Sequence, residues 1–139
     1  MTVYAFTDGA ARGNPGESGI GVVFKDEQGI TLATLHGYIG EATNNVAEYS
    51  ALLACLKNAP KTKCSRLIVH SDSELMVRQL LGEYKVKDPN LKAMYLKVRT
   101  MLAKAAYEFE IKHVRRELNK EADELANLGI DSRKAIRIE

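Results

Sequence analysis

Apolar and polar residues in the first part of the chain follow a strand pattern. Residues 2–7, 19–24 and 30–39 are rich in β-forming side chains. Turn-forming residues occupy positions 8–16 and 26–29, between these runs. The pattern predicts three consecutive strands, the first two joined by a loop and the last two by a hairpin turn, in an antiparallel meander.

The spacing of apolar residues then becomes helical. Apolar or aromatic residues recur at helical spacing from position 46 to position 56, which predicts a helix that Thr43 caps and that ends before Pro60. Residues 66–70 have the composition of a short buried strand. Ser73 is then expected to cap a helix that runs through residue 81.

The remaining chain predicts two further helices and one strand. Residues 83–88 form a charged connection, 91–106 a helix, 107–114 a strand and 118–128 a last helix. The order β-β-β-α-β-α-α-β-α indicates an α/β fold. We expect a mixed five-stranded sheet, with three antiparallel strands followed by two parallel ones, flanked by helices and with the first strand in the centre.

Length and composition indicate one globular domain over residues 1–139. The chain is 45% hydrophobic and 27% charged, and no segment resembles a signal peptide or a membrane span, so we expect a cytoplasmic protein. We also expect it to be a monomer. The two cysteines, Cys55 and Cys64, are expected to serve packing. Residues 131–139 are predicted either to form an extra strand or to be a loose tail.

Charge is distributed unevenly around a net value of +2. Residues 1–60 contain six acidic and three basic side chains, whereas residues 61–104 contain ten basic and four acidic ones. A solvated helix face explains many of these lysines. Beside an acidic site, the same basic segment would also suit a polyanion such as nucleic acid.

Four acidic residues stand at places where a fold can bring them together. Asp8 and Asp72 follow apolar strands, and Glu48 and Asp123 lie near the starts of predicted helices. Taken singly, each is explained as a turn former, a helix cap or a solvated side chain. Gathered at one site, however, the four would repel one another and require divalent metal, which indicates an enzyme acting on phosphate.

Short motifs surround these acids. They are TDG at 7–9 and GNPG at 13–16, TNNVAE at 43–48, SDS at 71–73, and Asn119 followed by ADELA at 122–126. In this order, over roughly residues 2–128, they resemble the motifs of type 1 ribonuclease H. The resemblance implies an endonuclease that cleaves the RNA strand of RNA/DNA hybrids and leaves 5′-phosphate and 3′-hydroxyl ends.

The same resemblance implies a pair of Mg²⁺ ions, for which Mn²⁺ should substitute. Asp8 would bridge both ions, and Asp123 would complete the one on the side of the attacking water. Glu48 and Asp72 would hold the ion on the side of the leaving 3′ oxygen. Glu48 would also accept a hydrogen bond from a ribose 2′-hydroxyl, the group that distinguishes RNA from DNA.

Substrate contacts are implied for a second set of residues. The expected substrate-binding residues are Arg12, Asn14, Thr43, Asn44, Asn45 and Glu74. Asn14, Asn44 and Asn45 resemble minor-groove contacts, and Thr43 resembles part of a pocket for a DNA phosphate. Thr43 and Asn44 are equally well explained as helix caps, and Glu74 stands where many relatives carry glutamine.

The chain departs from the family pattern in two places. Many bacterial members carry a loop histidine before the last helix, but the loop here, residues 115–118, contains none. Glu117 in this loop is either an auxiliary residue that takes over part of that role or simply an exposed loop glutamate. His113 is predicted to belong to the preceding strand, and His70 to pack near the core without a catalytic role. The segment 83–92 is too short for the basic protrusion of other relatives, so its lysines, Lys85, Lys87 and Lys92, would provide that surface.

Two alternatives stay open at this point. One is a nucleic-acid-binding module that has lost its chemistry, against which the four retained acids argue. The other is a nuclease that prefers structured or double-stranded RNA, because the altered loop and Glu74 would change selectivity.

Overall fold

The computed structural model describes residues 1–138. The strands are β1 Thr2–Gly13, β2 Gly16–Lys25, β3 Thr31–Ala42, β4 Arg66–Ser71, β5 Glu108–His113 and β6 Arg137–Ile138. The α-helices are α1 Asn44–Asn58, α2 Glu74–Leu80, α3 Pro89–Lys104 and α4 Lys120–Ser132, and short 3-10 turns lie at Ala59–Thr62 and Arg116–Leu118. Within the described range, every helix is too short or too polar to cross a lipid bilayer.

The strands form a single mixed sheet in the order β5-β4-β1-β2-β3-β6. β1, β2 and β3 are antiparallel neighbours, whereas β4 runs parallel to β1 and β5 parallel to β4. The predicted five-stranded architecture with the first strand in the centre is therefore confirmed. The C-terminal segment adds the short β6, which pairs with β3 at Leu35 and His36, as the extra-strand alternative expected.

The first strand is longer than predicted. β1 continues through Asp8 to Gly13, and only the Asn14-Pro15 turn separates it from β2. The prediction of a loop at residues 8–16 was wrong because pairing with β2 satisfies the backbone groups of these turn-forming residues. Asp8 is thus not at the end of its own strand. It lies just beyond Thr7, the last residue of β1 that pairs with β4.

Helices cover both faces of the sheet. α1, α2 and α3 share one hydrophobic core with the sheet, and α4 packs against β2, β3 and β1 on the other side. Two strand glycines permit this close packing: a side chain at Gly9 would collide with the backbone of Ala47, and one at Gly21 with the backbone of Ala122. The sheet therefore carries α1 and α4 close to β1 on its two sides.

The boundaries of two helices differ from those predicted. α3 begins at Pro89, two residues early, because the Asp88 side chain accepts hydrogen bonds from the backbone N–H groups of Asn90 and Leu91 at 2.8 and 3.1 Å. α4 starts at Lys120 after a 3-10 turn and continues to Ser132. Part of the segment expected to be an extra strand or a loose tail is therefore helical.

Candidate metal centre and nucleic-acid cleft

Three carboxylates meet where β4 ends beside the middle of β1. Asp8 on β1 and Asp72, directly after β4, lie side by side because their strands are parallel neighbours. Glu48 reaches them from α1, where its Oε1 accepts a 2.7 Å hydrogen bond from the backbone N–H of Gly9. One oxygen from each of the three acids lies within 4.8 Å of the others.

Asp123 adds a fourth carboxylate from the opposite face of the sheet. It lies in the first turn of α4, and its charge and hydrogen bonding contribute to raising the pKa of Asp8. Asp123 lines the same cleft as the other three acids. The structure thus gathers Asp8, Glu48 and Asp72 within 4.8 Å of one another and places Asp123 in the same cleft, while the metal-binding role of the four acids stays a prediction.

Asn119 fixes the start of α4 in place. This residue is 1% exposed, and its Nδ2 donates a 2.8 Å hydrogen bond to the carbonyl oxygen of Thr7, one residue before Asp8. The Asn119 carbonyl in turn accepts a hydrogen bond from the backbone N–H of Asp123 at 3.1 Å. Sequence reasoning gave Asn119 no role, although its position before the helix, four residues from Asp123, was a usable signal.

Asp8 and Glu48 lie close to other acids and are nearly inaccessible to water, whereas Asp72 and Asp123 are partly exposed. Asp8 is 5% exposed and Glu48 4%. Burial, followed by the charges of Glu48 and Asp72, raises the pKa of Asp8 far above its ordinary range. Burial and the Asp72 charge likewise raise the pKa of Glu48, against the opposing effect of the Gly9 N–H. Charge on these groups is therefore costly unless a cation compensates it.

The donor set suits a hard divalent cation. The converging ligands are all carboxylate oxygens, the type that Mg²⁺ and Mn²⁺ prefer, whereas a zinc site would favour histidine or cysteine. Burial and the nearby acids raise the pKa of Asp8, and a bound cation would relieve the repulsion between these carboxylates. The residues present thus fit the metal implied by the family resemblance.

The acids lie in an open cleft of about 610 Å³. Among the residues expected to bind substrate or assist, Arg12, Asn44 and Glu117 also line this cleft. The cleft is further lined by Arg115 and Arg116, which sequence reasoning did not single out as phosphate contacts. Their position on the short connection before α4 supplies positive charge beside the acids.

Three other expected substrate contacts surround the start of α1. The side-chain Oδ1 of Asn14 accepts a 3.0 Å hydrogen bond from the backbone N–H of Asn44, which brings the β1–β2 turn against the helix. Thr43 caps α1 by accepting from Val46 N–H at 3.2 Å, so its capping role is confirmed. Asn45 is exposed in the first turn.

Two expected contacts are engaged with other side chains. Glu74 is exposed, pairs with Arg78 at 2.9 Å and is not among the residues that line the cleft. Arg12 donates to Asp131 at 2.7 Å and to Asn127 at 3.3 Å, which ties the β1–β2 hairpin to α4. This ion pair lowers the pKa of Asp131.

The two histidines near the site behave differently. His70 is half-buried, stacks on Phe6 and bonds to the carbonyl of Ala5 through Nδ1 at 3.0 Å, in agreement with the predicted packing role. His113 ends β5, as predicted, and is exposed. It also lines the acidic cleft, which the sequence pattern did not indicate.

Comparison with known sequences identifies relatives over nearly the whole chain. A family model described as "Reverse transcriptase-like" matches residues 6–129. The chain is 39% identical to ribonuclease HI of Halobacterium salinarum over 129 residues, which cover 93% of this chain and 64% of that protein. It is 41% identical to the bifunctional protein Rv2228c of Mycobacterium tuberculosis over 133 residues, or 95% of this chain and 36% of that protein. The chain thus spans less than two thirds of either relative.

Solved structures show the same fold. LC11-RNase H1 in complex with RNA/DNA hybrid superimposes with a TM-score of 0.90 and 45% identity, covering 94% of this chain and 97% of that one. RNase H1 from Halobacterium salinarum gives a TM-score of 0.90 and 38% identity, with coverage of 95% and 99%.

The mixed sheet, the helices on both its faces and the carboxylates gathered where β4 ends beside β1 define a domain of the ribonuclease H fold. Within that class, the chain belongs to the reverse transcriptase-like family, and its similarity to solved RNase H1 proteins places it in the type 1 ribonuclease H family.

Proposed function

We propose that this protein is an endonuclease that cleaves the RNA strand of RNA/DNA hybrids and leaves 5′-phosphate and 3′-hydroxyl ends. The observation that carries the proposal is the gathering of four acids, from both faces of the sheet, in one open cleft. A relative with 45% identity was solved in complex with RNA/DNA hybrid, which supports this class of substrate.

The four acids would hold two Mg²⁺ ions, with Mn²⁺ as a substitute. Family resemblance gives Asp8 the role of contacting both ions, and its position supports this, because it clusters with Glu48 and Asp72 and shares the cleft with Asp123. Asp123 would complete the ion on the α4 side. The chemistry that such ions supply when bound is activation of water and stabilisation of the leaving oxygen.

Glu48 is held so that it can also contact the substrate. The Gly9 N–H fixes one carboxylate oxygen at 2.7 Å, which sets the direction of the other. We propose that Glu48 accepts a hydrogen bond from the ribose 2′-hydroxyl, a group that a DNA strand lacks. This contact would select the RNA strand for cleavage.

The remaining cleft residues would orient the two strands. Arg115 and Arg116 supply positive charge for phosphates, and Asn44 presents an amide beside the acids. Because one chain supplies all of these groups, we propose that the domain acts as a monomer. The cytoplasmic location stays a prediction.

A substrate panel tests the proposal. Purified protein is incubated with end-labelled RNA/DNA hybrid, duplex RNA and duplex DNA, each with Mg²⁺ and with Mn²⁺. We expect cleavage of the RNA strand of the hybrid, and products that a ligase or kinase identifies by their ends. Hybrid binding without turnover in either metal would indicate the binding-module alternative, and faster cleavage of duplex RNA would indicate the other alternative.

A variant connects the activity to the site. Asp8→Asn should abolish cleavage of the hybrid while the circular dichroism spectrum stays that of the folded protein. The matched control is Glu27→Gln, which removes an exposed charge in the β2–β3 turn. Retained activity in Asp8→Asn would contradict the assigned site.

A further inference from the structure

A buried polar pair lies beneath the connection between α2 and α3. Tyr49 on α1 is fully buried, and Gln79 in the last turn of α2 is 4% exposed. The Tyr49 hydroxyl donates a 2.6 Å hydrogen bond to Oε1 of Gln79. Burial raises the pKa of Tyr49 to about 12, so the hydroxyl keeps its proton and remains the donor.

The Gln79 amide links this pair to the connection itself. Its Nε2 donates to the backbone carbonyl oxygen of Lys85 at 3.4 Å. Because a carbonyl oxygen can only accept, the amide nitrogen must lie on the Lys85 side and the amide oxygen on the Tyr49 side. The two hydrogen bonds therefore favour the same orientation of the Gln79 side chain.

The connection presents two lysines to solvent. Lys85 and Lys87 are exposed, whereas Val86 between them packs against the hydrophobic core. Among the described residues, neither lysine takes part in an ion pair. The bond from Gln79 and the packing of Val86 thus hold the backbone from which both ammonium groups project.

These lysines lie one short helix away from the acids. Ser73, directly after Asp72, lines the cleft, and the seven residues of α2 then rise about 10.5 Å to the connection. A nucleic acid duplex with one phosphate at the acids carries further phosphates at such distances, since its grooves are about 6 to 12 Å wide. Exposed lysines without acidic partners suit those phosphates.

Core packing alone does not require a polar pair at this place. Phenylalanine and methionine of similar size would fill the space without burying a hydroxyl and an amide, whose loss of hydration costs free energy that hydrogen bonds only offset. Buried hydrogen-bonded side chains do, however, fix the orientation of the groups to which they bond. Here the group at the end of the pair is the connection that carries the lysines.

We propose that Gln79, held by Tyr49, is a positioning residue that fixes Lys85 and Lys87 for the phosphate backbone of the hybrid. The inference rests on the proposed function, because the hybrid is the polyanion that these lysines would meet. A connection that is ordered beforehand loses less conformational freedom when the hybrid binds. Loss of the pair should therefore weaken hybrid binding and leave the cleavage step unchanged.

A double substitution separates positioning from stability. Tyr49→Phe/Gln79→Met replaces both polar partners with apolar side chains of similar shape, which is expected to be nearly neutral for the fold. The matched control is Tyr107→Phe, which removes a tyrosine hydroxyl bonded to the carbonyl oxygen of Leu56 at 3.3 Å, near the other end of α1. Urea unfolding and circular dichroism verify that each variant is folded.

Binding and kinetics on a blunt hybrid measure the effect. Dissociation constants are obtained with Mg²⁺ and a non-cleavable hybrid, and kcat and KM with a cleavable one. In the double variant, Kd and KM should rise about three- to tenfold while kcat changes by less than about twofold. Tyr107→Phe should keep the wild-type values.

An unchanged Kd in the folded double variant would overturn the proposal. If the double variant does not fold, Tyr49→Phe alone gives the same test, because it frees the Gln79 amide from its partner. Its Kd should then rise while that of Tyr107→Phe does not, and equal Kd values would overturn the proposal.

Substitution of the lysines shows whether the pair acts through the connection. In the wild-type protein, Lys85→Gln/Lys87→Gln should weaken hybrid binding at least about fivefold and reduce its salt dependence. In the background of the Tyr49 and Gln79 substitutions, the same change should have a smaller effect, because the lysines are no longer held in place. An equal effect in both backgrounds, or none in the wild-type protein, would overturn the proposal.

The wild-type protein separates this inference from the proposed function. If it binds and cleaves the blunt hybrid, the proposed function stands whatever the variants do. If it neither binds nor cleaves the hybrid, the proposed function fails, and this inference fails with it.

Discussion

The acidic cluster and the surrounding rim of the cleft differ in how they are held. Asp8 and Glu48 are nearly inaccessible, and a backbone N–H or a neighbouring strand fixes each position. The rim residues Asn45 and Glu117 are exposed, and Arg12 is held by a surface ion pair. The positions of the clustered acids are therefore fixed by the strands and by α1, whereas the rim residues are exposed side chains whose positions depend on contacts at the surface.

This difference predicts different responses to substitution. Replacing an acid of the cluster should abolish metal-dependent cleavage. It should also relieve the repulsion between the acids in the metal-free protein, because burial has removed much of the water that would otherwise solvate their charges. A change in the rim should alter affinity by small amounts, since exposed polar contacts contribute little individually.

The largest effect is expected from the acid held by α1. Glu48→Gln keeps the shape of the side chain but removes its charge, so metal-dependent hybrid cleavage should fall by about a thousandfold or more. The control is Glu124→Gln, which removes an exposed charge next to Asp123. If Glu48→Gln and Glu124→Gln cleave the hybrid at similar rates, Glu48 is not needed for cleavage and does not belong to the catalytic cluster.

Stability without metal should depend on the charge of the cluster. Because the folded-state pKa values of Asp8 and Glu48 are raised, their contribution to stability is fully present below the ordinary values, 3.8 and 4.5. That contribution is lost as the pH rises from about 4 through the raised folded-state values. Asp8→Asn should therefore stabilise the metal-free protein at pH 7, by about 1 to 3 kcal/mol.

Urea unfolding of the wild-type protein and Asp8→Asn at pH 4 and pH 7, with a chelator present, measures this effect. The gain should be small at pH 4 and larger at pH 7. A loss of stability at pH 7 would show that the Asp8 carboxylate is well solvated or paired.

Asn119, which bonds to β1 beside the acidic cluster, should stabilise the fold and hold the start of α4 in place. Asn119→Ala leaves the buried carbonyl of Thr7 without its donor, which should cost about 1 to 3 kcal/mol in the free energy of unfolding. Asn90→Ala, at an exposed position of α3, is the comparison. In thermal denaturation, Asn119→Ala should have a clearly lower Tm than the wild-type protein, whereas Asn90→Ala should not. Equal Tm values for the two variants would show that the Asn119 hydrogen bond does not stabilise the fold.

The smallest effect is expected at the rim. Arg12→Ala breaks the exposed pair with Asp131 and should change stability by less than about 1 kcal/mol. If Arg12 also contacts the hybrid, KM should rise severalfold while kcat stays within a factor of about two. Steady-state kinetics on the blunt hybrid measure both quantities, and a large decrease in kcat would place Arg12 with the cluster.

The same contrast explains what the sequence could predict. The acids were identified because strands and helix starts are visible as periodic patterns, and each acid is tied to one of them. β1 was predicted too short because Gly9 and the GNPG motif are typical of turns. In the structure, Gly9, Gly13 and Gly16 instead lie in the paired strands β1 and β2, and Gly9 also allows the close approach of α1. The strand pairing and the helix packing each depend on residues that are distant in the sequence.

The rim was harder to predict for a related reason. The partner of Arg12 is Asp131, more than a hundred residues away, and the pairing of Glu74 with Arg78 competes with any substrate contact. His113 and Arg116 reach the cleft only because β5 ends beside β4. Contacts between exposed side chains of this kind depend on the tertiary structure. The periodic pattern of hydrophobic residues does not predict them.

Anomalous diffraction from crystals of the protein with Mn²⁺ and a non-cleavable hybrid would show whether the four acids hold a pair of metal ions beside the RNA strand. We expect two Mn²⁺ peaks, both at coordination distance, about 2.0 to 2.2 Å, from Asp8 oxygens, with Asp123 on one side and Glu48 and Asp72 on the other. Peaks that avoid Asp8, or a hybrid whose RNA strand passes elsewhere, would contradict this assignment.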